Sequence, residues 1–346
     1  MIIMNFIPLG GKHCITTSLK QVFNFYKYPI SEEMLFGIGS GISFAYLNLA
    51  NSPMITGRIK PFKFEEKIAK RLNVEIKCKT SKQYDIVFEK TKKIIDNNKP
   101  VMVYVDMPYL KYLNLQKDSH FGGHSIVIFG YDEEKKGFYI SDRDNLDNPI
   151  NTPKGKIFEN YHFVSFKEME KARSSNSRPF PANNKYMEFN FEKIQPITKE
   201  IIIEAIIETC DCMLNPPAQL LGLNGIKKFS KEILKWEKFD KKKLKFSGIT
   251  NYFMINADGG TGGGIFRKMY GDFLCEASKI CKNNAMNLIG KNICRIGNKW
   301  EEIASLFWKL GETANISILK QMSEIAIEIF DQESNIFNEL RNKIIW

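Results

Sequence analysis

Between residues 124 and 142 the chain spells out a complete antiparallel hairpin, and no other element constrains the first half as strongly. His124-Ser-Ile-Val-Ile-Phe-Gly-Tyr131 reads as a strand, Asp132 to Gly137 as the turn, and Phe138-Tyr-Ile-Ser-Asp142 as the returning strand. Antiparallel pairing brings Asp142 back beside His124, the residue that opens the hairpin. Upstream, Gly10-Gly-Lys-His-Cys14 leads into a segment with Leu19, Val22, Phe23 and Tyr26 at three- and four-residue steps, the spacing of one buried helix face. This predicts a helix from about Cys14 to Tyr26, ended by Pro29, with Cys14 in its first turn.

A thiol of ordinary pKa, about 8.5, is only a few per cent ionised at neutral pH, and a helix N-terminus or a neighbouring imidazole lowers that value. Cys14 is placed for both influences. Cys14 therefore reads as a nucleophile, His124 as the base that takes its proton and returns it to a leaving group, and Asp142 as the carboxylate that fixes the histidine tautomer. Taken singly, each has a plainer reading, as a buried thiol, a core histidine and a turn aspartate. Their order and setting point to a papain-type site. Gly11 lets the backbone approach a substrate closely, and the first amides of the helix are candidates to receive an oxyanion. His13 diverges from Cys14 at the helix start and is expected to line the cleft.

At 346 residues the chain is long for a single core and reads as two domains. A second helix starts near Ser31, whose hydroxyl can cap it, and Leu35 to Tyr46 spends Gly37, Gly39 and Gly41 on a loop, with Gly39 expected at the cleft. Phe64 to Leu72 and Tyr84 to Asn97 read as helices, Val74 to Cys78 and Val101 to Val105 as strands. From Ser174 to Asn184 the composition turns to Ser, Asn and Pro, a domain boundary. Residues 1–180 and 185–346 are the expected domains. The second carries helical patterns over Thr198 to Asn215, Asn224 to Trp236, Gly264 to Asn284, Lys299 to Gly311 and Ile316 to Lys343, without evident strands. The fold class is α+β followed by a mainly α-helical domain.

Seven cysteines without regular spacing argue against a disulfide framework, and Cys210 and Cys212 read as packing. His120 and His124 are four apart, but Gly122 and Gly123 between them exclude a helical zinc pair, so no metal is expected. The net charge of +11 and pI near 9.1 favour an acidic partner. Basic residues are spread along the chain, and the densest run, Lys241 to Lys245, reads as a solvated loop without a groove-reading motif, so nucleic acid is not the expected partner. The chain lacks a long apolar run, a basic n-region and a cleavage site, the pattern of a cytoplasmic protein with no membrane contact. Asp258-Gly-Gly-Thr-Gly-Gly-Gly264 has no nucleotide-binding signature and reads as a flexible turn, with Arg267 just beyond it a candidate substrate contact.

Gly-Lys-His-Cys14 with Glu33, the Gly37–Gly41 loop, Gly-His124 and Ser-Asp142-Arg, together with Asn215-Pro-Pro-Ala-Gln-Leu-Leu-Gly-Leu-Asn-Gly-Ile, Trp236 and Gly262-Gly-Gly-Ile-Phe-Arg267, resemble the butirosin biosynthesis protein H family. The resemblance spans nearly the whole chain through loose motifs in a fixed order. It implies a papain-like, cysteine protease-like N-terminal domain with a helical companion, and acyl transfer rather than hydrolysis. An acyl group would leave the phosphopantetheine thioester of an acyl or peptidyl carrier protein, rest on Cys14 and pass to an amine, with no bound cofactor. Within this class the chain is similar to the amide-forming enzymes of closthioamide assembly, which join a carrier-bound aromatic acyl chain to a small diamine. A cysteine peptidase or amide hydrolase with the same three residues is the alternative. Papain-type sites commonly place a glutamine shortly before the cysteine. None stands between Asn5 and Cys14, which leaves the oxyanion to backbone amides or a side chain such as Asn5.

Overall fold

Val101–Val105, buried along its whole length, lies inside a six-stranded sheet of the computed structural model. The structure describes residues 1–49, 52–60, 62–178 and 180–344; Pro179 of the expected boundary segment and the last two residues of the range 185–346 lie outside these. The sheet runs in the order Glu75–Lys79, Tyr186–Asn190, Val101–Val105, His124–Asp132, Gly137–Ser141, His162–Ser165, with every neighbouring pair antiparallel. The hairpin forms as its sequence predicts, with Asp132 opposite Gly137 and Val127 opposite Ser141. Helix Cys14–Phe25 packs on the His124–Asp132 strand. There the Ser125 hydroxyl donates to Ser18 Oγ at 3.0 Å, one helical turn beyond Cys14.

Residues 1–35 and 72–195 form one compact unit, and residues 36–71 and 196–346 form the other. The expected ranges 1–180 and 185–346 differ from these units in two places. Tyr186–Asn190 pairs with both Glu75–Lys79 and Val101–Val105 and so belongs to the first unit's sheet. Residues 36–71 group with the helices of the second unit.

The expected loop through residues 37–46 is instead the end of helix Glu32–Ile38 and a strand, Ile42–Leu47, paired with Met54–Arg58. Phe44 and Tyr46 are drawn into that hairpin because they stack among Phe229 and Trp300 of the same unit, burial that outweighs the weak local signal of the preceding glycines. Lys241 to Lys245 is not a loop but the first turns of helix Lys241–Ile255, capped by Asp240, whose Oδ1 accepts from the Lys243 amide at 2.8 Å. Its buried face carries Ser247, Gly248 and Asn251 beside Leu244 and Ile255, so apolar periodicity is faint. Asn251 replaces it with hydrogen bonds, accepting from the Ile55 amide and donating to the Pro53 carbonyl, both at 2.9 Å.

The longest element of the second unit is helix Asn284–Thr313, thirty residues, packed against Lys241–Ile255, Arg267–Cys281 and Leu319–Ile344. Gly271 and Gly290 make one of these contacts close. A Cβ on Gly271 would stand 2.5 Å from the Gly290 carbonyl oxygen, and one on Gly290 would stand 2.6 Å from that of Gly271. Among the described residues no helix is long and apolar enough to cross a membrane.

Candidate active site

The segment ahead of Cys14 is strapped to the segment after the hairpin. The Gly11 amide donates to the Arg143 carbonyl at 2.8 Å, and Gly10 lies so close to Asn145 that a Cβ would meet its side chain at 2.2 Å. This strap draws the helix start carrying Cys14 toward the strand end carrying Asp142. His124, the first residue of its strand, lies opposite Val105. Its Nε2 is 2.8 Å from Asp142 Oδ2. The ring's other nitrogen, Nδ1, is left for the side chain of Cys14, with which His124 makes a hydrogen bond.

Burial works to neutralise His124 but is outweighed by the charge of Asp142, its hydrogen bond, and the hydrogen bond and charge of Cys14, so the imidazole pKa is raised. Burial works in the same sense on Asp142 and is outweighed by the charge and hydrogen bond of His124 and the hydrogen bond of Tyr112, so the carboxyl pKa is lowered. Its other oxygen, Oδ1, accepts from the Arg143 amide at 2.7 Å. A carboxylate held from both oxygens, an imidazole that keeps its proton and a cysteine at a helix start can exchange one proton among them. Cys14 is 9% exposed.

A residue that sequence reasoning passed over holds the loop in place. The buried carboxylate of Glu32 accepts from the amides of Lys12 at 2.8 Å and His13 at 3.1 Å, and from the hydroxyls of Thr16 at 2.7 Å and Thr17 at 2.8 Å. These two amides are therefore not oxyanion donors. The neighbouring Glu33, singled out in the sequence, instead pairs with the Lys12 ammonium at 2.7 Å. No periodicity distinguishes two adjacent glutamates in one helical turn. Glu32→Ala is expected to destabilise the protein by about 3 kcal/mol, because it leaves two amides without their buried acceptor. Urea titration measures this, and a loss below about 1 kcal/mol would contradict the assigned role.

The remaining expected site residues have structural roles. His13 is the helix cap, its Nδ1 accepting from the Thr16 amide at 3.4 Å, and it is buried rather than presented to a cleft. Gly11 is small because Glu32 Oε2 and Thr17 Oγ1 would lie 2.2 and 2.3 Å from any Cβ there. Asn5 is exposed in a turn. Gly39 lies in the turn after helix Glu32–Ile38, within the second unit.

Arg267, expected to bind substrate, is 0% exposed in the core of the second unit. Its Nε and Nη2 each lie 2.9 Å from a Glu333 oxygen, and Nη1 donates to the Ser43 and Ile265 carbonyls at 3.0 Å. Its guanidinium also lies over the Trp300 ring. Each of its three nitrogens has a partner within the second unit and none of it is exposed, so the expectation gives way to a structural role. The glycine-rich turn is likewise closed from within, since the Gly264 amide donates to Glu301 Oε1 at 2.5 Å.

Cys14, His124 and Asp142 all fall within a stretch of family resemblance. Residues 13–143 match the family described as butirosin biosynthesis protein H, N-terminal. Residues 167–340, half of the chain, match the family described as domain of unknown function (DUF4872). The chain belongs to the DUF4872 family, and ahead of that domain it is similar to the butirosin biosynthesis protein H N-terminal family over residues 13–143. No curated protein matches it.

Proposed function

We propose that this protein is a cysteine-dependent acyltransferase that forms amide bonds in natural-product biosynthesis, and that its first unit is a papain-like catalytic domain. The observation that carries the reading is the hydrogen-bonded series from Cys14 through His124 to Asp142. In the first half-reaction His124 Nδ1 holds the proton given up by the thiol, and the Cys14 thiolate attacks the carbonyl carbon of an acyl thioester on the phosphopantetheine arm of a carrier protein. The tetrahedral adduct collapses as the carrier's sulfur leaves with the proton from His124, and the acyl group remains on Cys14. In the second half-reaction an amine attacks that thioester, and His124 receives the ammonium proton and shares it with the departing Cys14 sulfur, which restores the imidazolium–thiolate pair. Asp142 remains a carboxylate throughout and holds the imidazole in one orientation.

The N-terminal family match supports transfer within antibiotic biosynthesis, and the +11 balance suits the acidic surfaces usual in carrier proteins. The narrowest form of the reading has a diamine as acceptor, as in closthioamide assembly. Incubation with acyl thioesters and diamines, followed by intact and peptide mass spectrometry, is expected to show an acyl adduct on Cys14 and an amide product, with both lost in Cys14→Ala. Amide formed by Cys14→Ala at the wild-type rate would refute covalent catalysis by this thiol. Release of carboxylic acid alone, with amine present, would assign the site to a peptidase or amide hydrolase.

A further inference from the structure

The end of the Gly137–Ser141 strand serves two histidines. Asp142 and Asp144, two residues apart, each catch the histidine that opens a flanking strand. Asp142 takes His124 at 2.8 Å on one side, and Asp144 takes His162 Nε2 at 2.9 and 3.0 Å on the other. Tyr112 ties the two pairs together. Its hydroxyl donates at 2.7 Å to Asp142 Oδ2, the same oxygen that faces His124. Its ring lies flat on the His162 imidazole, with centroids 3.8 Å apart and planes 7° from parallel. His162 is itself buried and held by both Asp144 oxygens, so it forms a fixed platform.

We propose that Tyr112 is a positioning residue of the Cys14–His124–Asp142 site: its hydroxyl, held in place by the stack on His162, fixes the Asp142 carboxylate and limits how tightly that carboxylate retains the proton of His124. One carboxylate oxygen accepts from two donors, and charge drawn toward the phenol is withdrawn from the imidazolium. The groups facing this network are Cys14 on the helix, Arg143 and Asp144 after the strand, and His162 across from it. Arg143 and Asp144 follow Asp142 in the chain and keep their partners in Tyr112→Phe, so they do not account for a shift in that variant, whereas His162→Gln also takes away the imidazole that Asp144 holds. The inference rests on the reading of His124 as the proton shuttle.

The test is an NMR titration of the protein with labelled histidine rings, which reads the His124 pKa without requiring turnover. Tyr112→Phe keeps the stack and removes the hydroxyl, so the His124 titration is expected to move to higher pH by about half a unit or more. The alkaline limb of the Cys14 acylation rate should move with it. His162→Gln, which removes the platform but leaves the hydroxyl, is expected to shift the titration in the same direction by less. An unchanged or lowered His124 pKa in Tyr112→Phe would overturn the inference and reduce Tyr112 to packing. Failure of the transferase reading is a separate outcome, seen as absence of an acyl adduct on the wild-type protein whatever the titrations show.

Discussion

His124→Ala is expected to slow acylation of Cys14 by about a thousandfold or more, with little change in stability-independent substrate binding. The imidazole has two duties in the proposed reaction, taking the thiol proton and delivering one to the departing sulfur, and alanine performs neither. It also removes the positive charge that favours the thiolate beside it. Asp142→Asn keeps the shape of the pair but presents an amide where a carboxylate faces Nε2 at 2.8 Å, so its loss should be smaller than that of His124→Ala. Single-turnover acylation followed by quenched mass spectrometry separates these effects from product release. A His124→Ala rate within tenfold of wild type would remove the imidazole from the mechanism.

Glu333→Ala is expected to destabilise the protein by about 3–5 kcal/mol, the usual consequence of stripping one partner from a buried ion pair. Glu333 accepts both Arg267 bonds at 2.9 Å and a third from the Trp300 indole at 3.0 Å, and Arg267 is 0% exposed. Alanine leaves a guanidinium without its counter-charge and an indole N–H without its acceptor. The double variant Arg267→Met with Glu333→Leu should recover much of the loss, because the pair itself bears a desolvation penalty that apolar side chains avoid. Calorimetric or denaturant unfolding measures both variants. A Glu333→Ala protein within about 1 kcal/mol of wild type would show that the pair contributes nothing distinctive.

The first half of the fold was legible where apolar runs and turns are local and strong. Val101–Val105, the hairpin from His124 and the helix from Cys14 all lie where sequence spacing puts them. Short edge elements escaped because their signal is weak: Ile150–Thr152 and Gly155–Ile157 are three residues each, and His162–Ser165 is four. Helix Lys241–Ile255 was hidden by a buried face built from Ser, Gly and Asn, whose hydrogen bonds do the work that apolar periodicity would advertise. Cys14, His124 and Asp142 were visible as a set because the hairpin returns Asp142 to His124. Tyr112 and Glu32 reach the site's surroundings from distant sequence through tertiary contacts alone.

The placement of Tyr186–Asn190 within the sheet sets a schedule for synthesis. Glu75–Lys79 and Val101–Val105 are joined only through this strand, so on the ribosome each keeps an open edge until residue 190 has emerged. The hairpin of Ile42–Leu47 and Met54–Arg58 waits longer, since Phe229 and Trp300, which cover its aromatic residues, are made much later. Both units therefore close late: Glu75–Lys79 has no strand partner until residue 190 is made, and the Ile42–Leu47 hairpin, though paired, keeps Phe44 and Tyr46 uncovered until residue 300 is made, open surfaces that neighbouring chains or a chaperone can capture.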